Sequence, residues 1–269
     1  MAVLERDDVV ASSRNPALTA ARARLGLVAL LFVLAAVSWL LTARWMSGMD
    51  AGSWTALGGF TWFLGVWVVM MAAMMFPSVA PTVALYSRLM RERSPAAPYV
   101  FAAGYLVTWA VAGAAAYAIG VGLSHWLGDS IAWDNAGQEI AGATLLVAAV
   151  YELTPLKEVC LGKCRSPLGE LLGSWRDGNV GALRMGTRIG AWCVGCCWAL
   201  MAALFALGVM SITWMAFIAG IIAVEKLLPW RRVATYGVAL LLLVIGLFLL
   251  ISPDSLAGLT IPSSGGMSM

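Results

Sequence analysis

Residues 25–41 read LGLVALLFVLAAVSWLL, an apolar run without a charged side chain. This run approaches the length of about 20 residues that a helix needs to cross the hydrocarbon core of a bilayer. The leader at 1–24 is polar and carries both acidic and basic residues, and no small-residue cleavage site precedes Arg44. The run therefore predicts a retained membrane helix instead of a cleaved signal peptide.

The composition extends this prediction to the whole chain. The 269 residues are 61% hydrophobic and 12% charged, with a mean hydropathy of +0.87, whereas soluble domains are about 45–50% apolar and about 25% charged. Six further apolar runs follow, at 60–86, 99–123, 139–155, 189–209, 211–229 and 234–251. We therefore predict an all-α, multi-pass inner-membrane protein: a polytopic bundle of about seven transmembrane helices.

The runs also divide the chain. We expect a cytoplasmic tail at 1–24, a transmembrane bundle at 25–252 with a long cytoplasmic loop at 157–188, and a flexible external tail at 253–269. The loop prediction rests on its proline, glycine and mixed charges, which interrupt the apolar pattern. The connection near Met210 is the tightest, and fusing the helices on either side of it would leave six spans.

Basic residues predict the orientation, because lysine and arginine collect in cytoplasmic loops. With seven spans, almost all of them lie on one side of the membrane and Arg44 alone lies on the other. This arrangement puts the N-terminus inside and the C-terminus outside. With six spans, Lys226, Arg231 and Arg232 would lie outside and break the pattern.

The second run contains a methionine cluster, Met70-Met71-Ala-Ala-Met74-Met75. Positions 70 and 74, like 71 and 75, are four residues apart, so the four thioethers share one broad face of a helix. Methionine is also a common filler of irregular helix packing. The cluster is therefore either a set of soft metal ligands or part of the core.

The fifth run contains a cysteine cluster with a methionine after it, Cys193-Val-Gly-Cys196-Cys197-Trp-Ala-Leu-Met201. Residues 193, 197 and 201 form a stripe on one helix face, with Cys196 beside it. In the predicted topology this stripe and the methionine cluster reach the same depth, in the cytoplasmic half of the membrane. A buried cysteine can equally act as a small apolar side chain that lets helices approach.

Thiolate and thioether ligands together favour Cu(I). Glu152, an ionisable residue near the inner end of the fourth run, could join the thiolates, and the site would then also suit Zn(II). An interfacial carboxylate is the alternative for Glu152. His125 is the only histidine, which excludes a histidine dyad and a histidine-rich metal site.

Two further cysteines, Cys160 and Cys164, lie in the predicted cytoplasmic loop, where a metal site or a redox pair would fit the spacing. A membrane thiol oxidoreductase that uses this pair, or Cys196 with Cys197, is therefore a third reading. Adjacent cysteines on one helix are poorly disposed for an ordinary disulfide. No phosphate-binding loop interrupts 157–188, which disfavours an ATP-driven pump.

The two motifs, MMAAMMFPS at 70–78 and CVGCCWALM at 193–201, resemble those of a family of bacterial predicted metal-binding integral membrane proteins, classed as a domain of unknown function. The resemblance covers roughly residues 25–252. It implies an integral membrane protein with a metal site on the sulfur side chains of both motifs. These are Met70, Met71, Met74, Met75, Cys193, Cys196, Cys197 and Met201.

Two functions from different classes follow. The first is a Cu(I)-handling membrane protein for transport, delivery or storage, with metal handling favoured over catalysis. The second is a structural or assembly subunit of a larger membrane complex, whose sulfur-rich faces pack against partner helices. The expected partners are the lipid bilayer and membrane proteins, and no nucleic acid.

Overall fold

The computed structural model describes residues 16–46, 59–89, 94–127, 138–173, 175–208, 212–228 and 231–251. In these ranges the chain is helical and contains no strand. The helices are α1 (Pro16–Met46), α2 (Phe60–Leu89), α3 (Ala97–Leu127), α4 (Gln138–Glu152), α5 (Pro155–Arg165), α6 (Pro167–Gly173), α7 (Gly178–Gly208), α8 (Ile212–Leu227) and α9 (Arg231–Ile251). The all-α fold class is confirmed.

Five of these helices are long and apolar enough to cross a membrane. Their candidate spans are Leu25–Trp45, Phe60–Leu89, Ala97–Leu123, Gly178–Leu204 and Arg232–Ile251. A sixth is possible if α4 and α5, which meet at a bend of 69°, form one broken span. By length and composition, these helices are therefore those expected of a membrane protein.

The helices α4 and α8 explain why this count stays below seven. They have 15 and 16 residues, which is about 22 and 24 Å at 1.5 Å per residue, against a hydrocarbon thickness of about 30 Å. Each has a buried acidic residue in its last turn, Glu152 in α4 and Glu225 in α8. Short helices of this kind bring polar side chains to membrane depth inside the protein, where irregular backbone is tolerated.

The segment at 157–188 differs from the predicted loop because most of it is helical. Thr154 caps α5, accepting a hydrogen bond from the backbone N–H of Lys157, and Pro155 starts that helix. Pro167 likewise starts α6. Proline at the first position begins a helix instead of breaking it, because its missing N–H has no intrahelical partner there. The tail and loop boundaries near 1–15, 210 and 252–269 lie outside the described residues.

The helix α7 lies at the centre of the bundle, packed against α3, α4, α5 and α8. Its contact with α3 is backbone-close: a Cβ atom at Gly104 or Gly186 would overlap the carbonyl oxygen of Leu183 or Phe101. Small residues let membrane helices approach in this way and gain van der Waals contact. The face of α7 that carries the cysteines lies in the core, where Met75 of α2 and the helices α5 and α8 contact α7.

Candidate metal centre

Three cysteines of α7 bring their sulfur atoms together. The Sγ atoms of Cys193, Cys196 and Cys197 all lie within 4.8 Å of one another, and each residue is 1% exposed. Cys196 Sγ lies 3.3 Å from Cys197 Sγ and also donates to the backbone carbonyl of Cys193 over 3.2 Å. Among the described residues, this is the group of cysteine, histidine and acidic side chains arranged to hold a metal ion.

Two neighbouring helices add sulfur to this trio. From α2, Met75 Sδ lies 3.9 Å from Cys193 Sγ. From α5, Cys164 Sγ lies 3.8 Å from Cys196 Sγ. Met75 is fully buried, whereas Cys164 is only partly buried. The sulfur cluster, defined as Cys164, Cys193, Cys196, Cys197 and Met75, thus joins three helices and has one member nearer to the surface.

Cys193 also has two polar neighbours. The ammonium of Lys226, near the end of α8, lies 3.0 Å from its sulfur and donates to Ser78 of α2 over 3.3 Å. The hydroxyl of Tyr105 on α3 lies 3.0 Å from the same sulfur. An ammonium ion beside a thiol stabilises the thiolate, which is the form that binds metals. The cluster therefore carries its own positive counter-charge.

The other predicted ligands are all buried, but they lie in different surroundings. Met70, Met71, Met74 and Met201 belong to the hydrophobic core, each at most 4% exposed. Glu152 is 2% exposed, and its Oε1 accepts a hydrogen bond from Lys157 Nζ over 2.5 Å. Its carboxylate is thus part of an ion pair outside the trio of ligand atoms. Of the four helix-two methionines, Met75 has the sulfur that contacts a cysteine.

A second polar group, centred on Glu170, links the helices next to the sulfur cluster. Glu170 of α6 accepts hydrogen bonds from Lys163 of α5 and from Arg188 and Trp192 of α7. Burial raises the pKa of the Glu170 carboxyl, but the hydrogen bonds from Lys163 and Trp192 and the charges of Lys163 and Arg188 outweigh burial. The pKa is therefore held below its usual value. Glu170 keeps α5 against α7, with Cys164 adjacent to Lys163.

Sequence reasoning missed Lys226, Tyr105 and the contact between Cys164 and the trio. The signal at Cys164 was its separation of four residues from Cys160, which indicated a pair, yet in the structure Cys164 contacts Cys196 instead. Cys160 lies beneath Gly195, where an added Cβ would lie 2.8 Å from its sulfur. No local pattern marks Lys226, because its partner is 33 residues away in sequence.

The chemistry of the cluster is that of a soft-metal site. Thiolates and a thioether in a dry, largely apolar bundle suit a monovalent soft cation and disfavour hydrated hard cations. Within the residues that the structure describes, no second group of this kind gathers such ligands.

The fold and the cluster define a helical protein with candidate membrane spans and a sulfur-rich group that could hold a metal ion. The chain belongs to the PpoB2 copper chaperone family, whose model matches residues 64–249, more than half of its length. Comparison with curated proteins and with solved structures gives no match. The copper handling that the soft sulfur ligands predicted agrees with this family, and residues 70–78 and 193–201 lie inside the matched region.

Proposed function

We propose that this protein is an integral inner-membrane copper chaperone that carries Cu(I) as its cargo on the sulfur cluster. The observation that supports this most is the trio Cys193, Cys196 and Cys197, whose three buried sulfurs lie within 4.8 Å of one another. Membership of a copper chaperone family supports the choice of metal. Cys193, Cys196 and Cys197 are the main ligands, and Met75 and Cys164 are the additional ones.

The charges around the cluster suit Cu(I). A monovalent cation held by two thiolates has a net charge of −1, and the ammonium of Lys226, 3.0 Å from Cys193, offsets that charge. Neutrality matters here because a net charge buried at membrane depth costs several kcal/mol. A divalent cation would need a third thiolate to reach the same net charge, which Cys193, Cys196 and Cys197 together could supply. The choice of Cu(I) over Zn(II) therefore rests on the soft thioether of Met75 and on the copper family.

We further propose seven spans, with the N-terminus in the cytoplasm and the C-terminus outside. Five candidate spans form the frame, and the short helices α4 and α8 complete it as broken or shallow spans. The basic residues of 157–188 then face the cytoplasm, as the charge rule for short loops favours. Cys164 lies on that side, so copper exchange with a cytoplasmic thiol would pass through it.

Delivery is favoured over storage by the small size of the site. A single cluster of five sulfur side chains, one of them partly exposed, holds few ions and leaves a route for ligand exchange. The chaperone would pass copper to a partner membrane protein or copper enzyme. The competing possibility, a subunit whose sulfur-rich faces only pack against partners, predicts no stoichiometric copper.

The test is anaerobic Cu(I) titration of the detergent-purified protein against a competing chelator. The wild type should bind Cu(I) stoichiometrically, and the variant with both Cys196→Ser and Cys197→Ser should lose that binding. Met75→Leu should weaken binding, whereas Met70→Leu is the matched control because Met70 is buried on the same helix. Both leucine variants should fold, since such swaps cost under about 1.5 kcal/mol. No binding by the wild type would contradict the proposal.

A further inference from the structure

A buried group of three charges lies apart from the sulfur cluster, where α4, α5 and α8 meet. Lys157 of α5 donates to Glu152 Oε1 of α4 over 2.5 Å and to Glu225 Oε2 of α8 over 2.8 Å. None of the three residues is more than 2% exposed. We call Glu152, Lys157 and Glu225 the carboxylate triad. No part of the copper site uses it.

The charges of the triad do not balance. Two ionised carboxylates and one ammonium leave a net charge of −1 in a place without solvent. Glu152 Oε2 and Glu225 Oε1 are also buried and have no hydrogen-bond partner among the described residues. A buried acceptor without a donor costs about 1–3 kcal/mol, more if it is charged. The triad therefore lacks one positive charge and at least one hydrogen-bond donor.

A single proton supplies both. Placed on one carboxyl group, it removes the excess charge and turns an orphan acceptor into an O–H donor. The two carboxyl groups contact the same ammonium, and the side chains of Glu152 and Glu225 are within hydrogen-bonding reach of each other. Like-charged carboxylates that share a site keep one proton between them for the same reason.

We propose that the carboxylate triad is an internal proton-binding site that holds one proton between Glu152 and Glu225. The titratable groups that face it are its own members, from α4, α5 and α8, together with Cys197 of α7, whose charge acts on Lys157, and Tyr151 of α4, on which the charge of Lys157 acts. Release of the proton leaves a carboxylate ionised and a proton in the solvent, with no other reactant. The site needs no copper, so this proposal can be tested independently of the copper proposal.

The position of the triad gives the proton a structural consequence. The helix α5 carries both Lys157 and Cys164, and α8 carries both Glu225 and Lys226. Each of these helices thus joins the triad to the sulfur cluster. Loss of the proton leaves a buried net negative charge between them, which favours separation of the helices.

The experiment is infrared difference spectroscopy of the metal-free full chain in lipid nanodiscs, recorded as the pH is raised. The wild type should show the C=O stretch of a protonated, buried carboxylic acid, which shifts on exchange into D2O. Glu152→Gln and Glu225→Gln should each abolish the band. In either variant the charge of the remaining carboxylate is already balanced by the ammonium of Lys157, so no proton is needed. The control is Glu158→Gln, on an exposed residue of α5, which should keep the band.

Three results would overturn this proposal. The first is a wild type without the band, and the second is a band that persists in both Glu152→Gln and Glu225→Gln. The third is failure of both glutamine variants to fold, judged by helical circular dichroism and a single elution peak. Replacing the protonated glutamic acid by glutamine, a neutral side chain of the same shape, leaves the net charge of the triad at zero. At least one of the two variants must therefore fold if the proton is present.

Discussion

The ammonium of Lys226 lies 3.0 Å from the sulfur of Cys193, so the C-terminal end of α8 supplies a cation to the cysteines of α7. The helix α2 contacts both residues, because Lys226 donates to Ser78 and the sulfur of Cys193 lies 3.9 Å from that of Met75. A positive charge next to the thiols affects both their ionisation and the charge of any metal complex that they form. Side chains from α2, α7 and α8 together therefore set the electrostatics of the cluster.

Replacing Lys226 should weaken copper binding without removing a ligand. Lys226→Met keeps the length of the side chain but loses the charge that stabilises the thiolate of Cys193. We expect the Kd for Cu(I) to rise about tenfold or more, which corresponds to about 1.4 kcal/mol. Competitive chelator titration measures the shift. Lys226→Arg keeps the charge and should restore most of the affinity, while equal loss in both variants would point to packing instead of charge.

Gly195 should tolerate no side chain while Cys160 is present. An added Cβ would lie 2.8 Å from Cys160 Sγ, and the carbonyl of Gly195 also accepts a hydrogen bond from Tyr151 over 2.5 Å. Gly195→Ala should therefore push α5 away from α7 and cost about 1–3 kcal/mol, the usual range for an overpacked core. Thermal unfolding in detergent would measure this cost.

The matched controls for that variant come from the same structure. Cys160→Ala removes the sulfur that an alanine at 195 would meet, so the double variant should recover most of the lost stability. Gly237→Ala on α9, where an added Cβ meets nothing within 4 Å, should leave stability unchanged or raise it. If Gly195→Ala were as harmless as Gly237→Ala, α5 would not be packed against α7 at this point.

Glu170 should make stability fall on acidification. Its pKa in the folded protein is held below the ordinary value of 4.5. The unfolded chain therefore binds its proton first as the pH falls. The stabilisation is fully present above the unfolded pKa, and it is lost as the pH falls through the folded pKa. Melting temperatures between about pH 6 and pH 3 should drop more for the wild type than for Glu170→Gln. Equal slopes would mean that the contacts with Lys163 and Arg188 contribute nothing.

The sequence predicted the helical membrane fold well because lipid imposes a strong compositional rule. It also predicted that the three cysteines of one helix share a face, because helical spacing alone decides that. It did not predict the helices within 157–188, since Pro155 and Pro167 look like breakers until their place at the first turn is known. For the methionines of α2, the shared helix face was predictable but the individual contacts were not. All four are buried, but the one that contacts a cysteine is decided by the rotation and depth of two helices, which sequence spacing does not define.

The remaining members of the site come from tertiary packing. Lys226 and Cys164 approach the trio from α8 and α5 across 33 and 32 residues of sequence. Glu152 shows the opposite case, because an acidic residue at membrane depth suggested a metal ligand. Its contact with Lys157 depends on the bend of 69° between α4 and α5, which the sequence did not predict.

Cys164 should report the topology of the membrane bundle. It is the partly buried cysteine at the rim of the cluster, whereas Cys160 is 5% exposed. Since its helix is proposed to face the cytoplasm, a membrane-impermeant thiol reagent should leave it unlabelled in intact cells. The reagent should label it in inverted membrane vesicles. Cys164→Ser should remove most of that labelling and Cys160→Ser little of it.

Cu(I) added before the reagent should protect Cys164 if this thiol belongs to the copper site. Labelling in intact cells would reverse the proposed orientation, and labelling that Cu(I) does not affect would exclude Cys164 from the ligands.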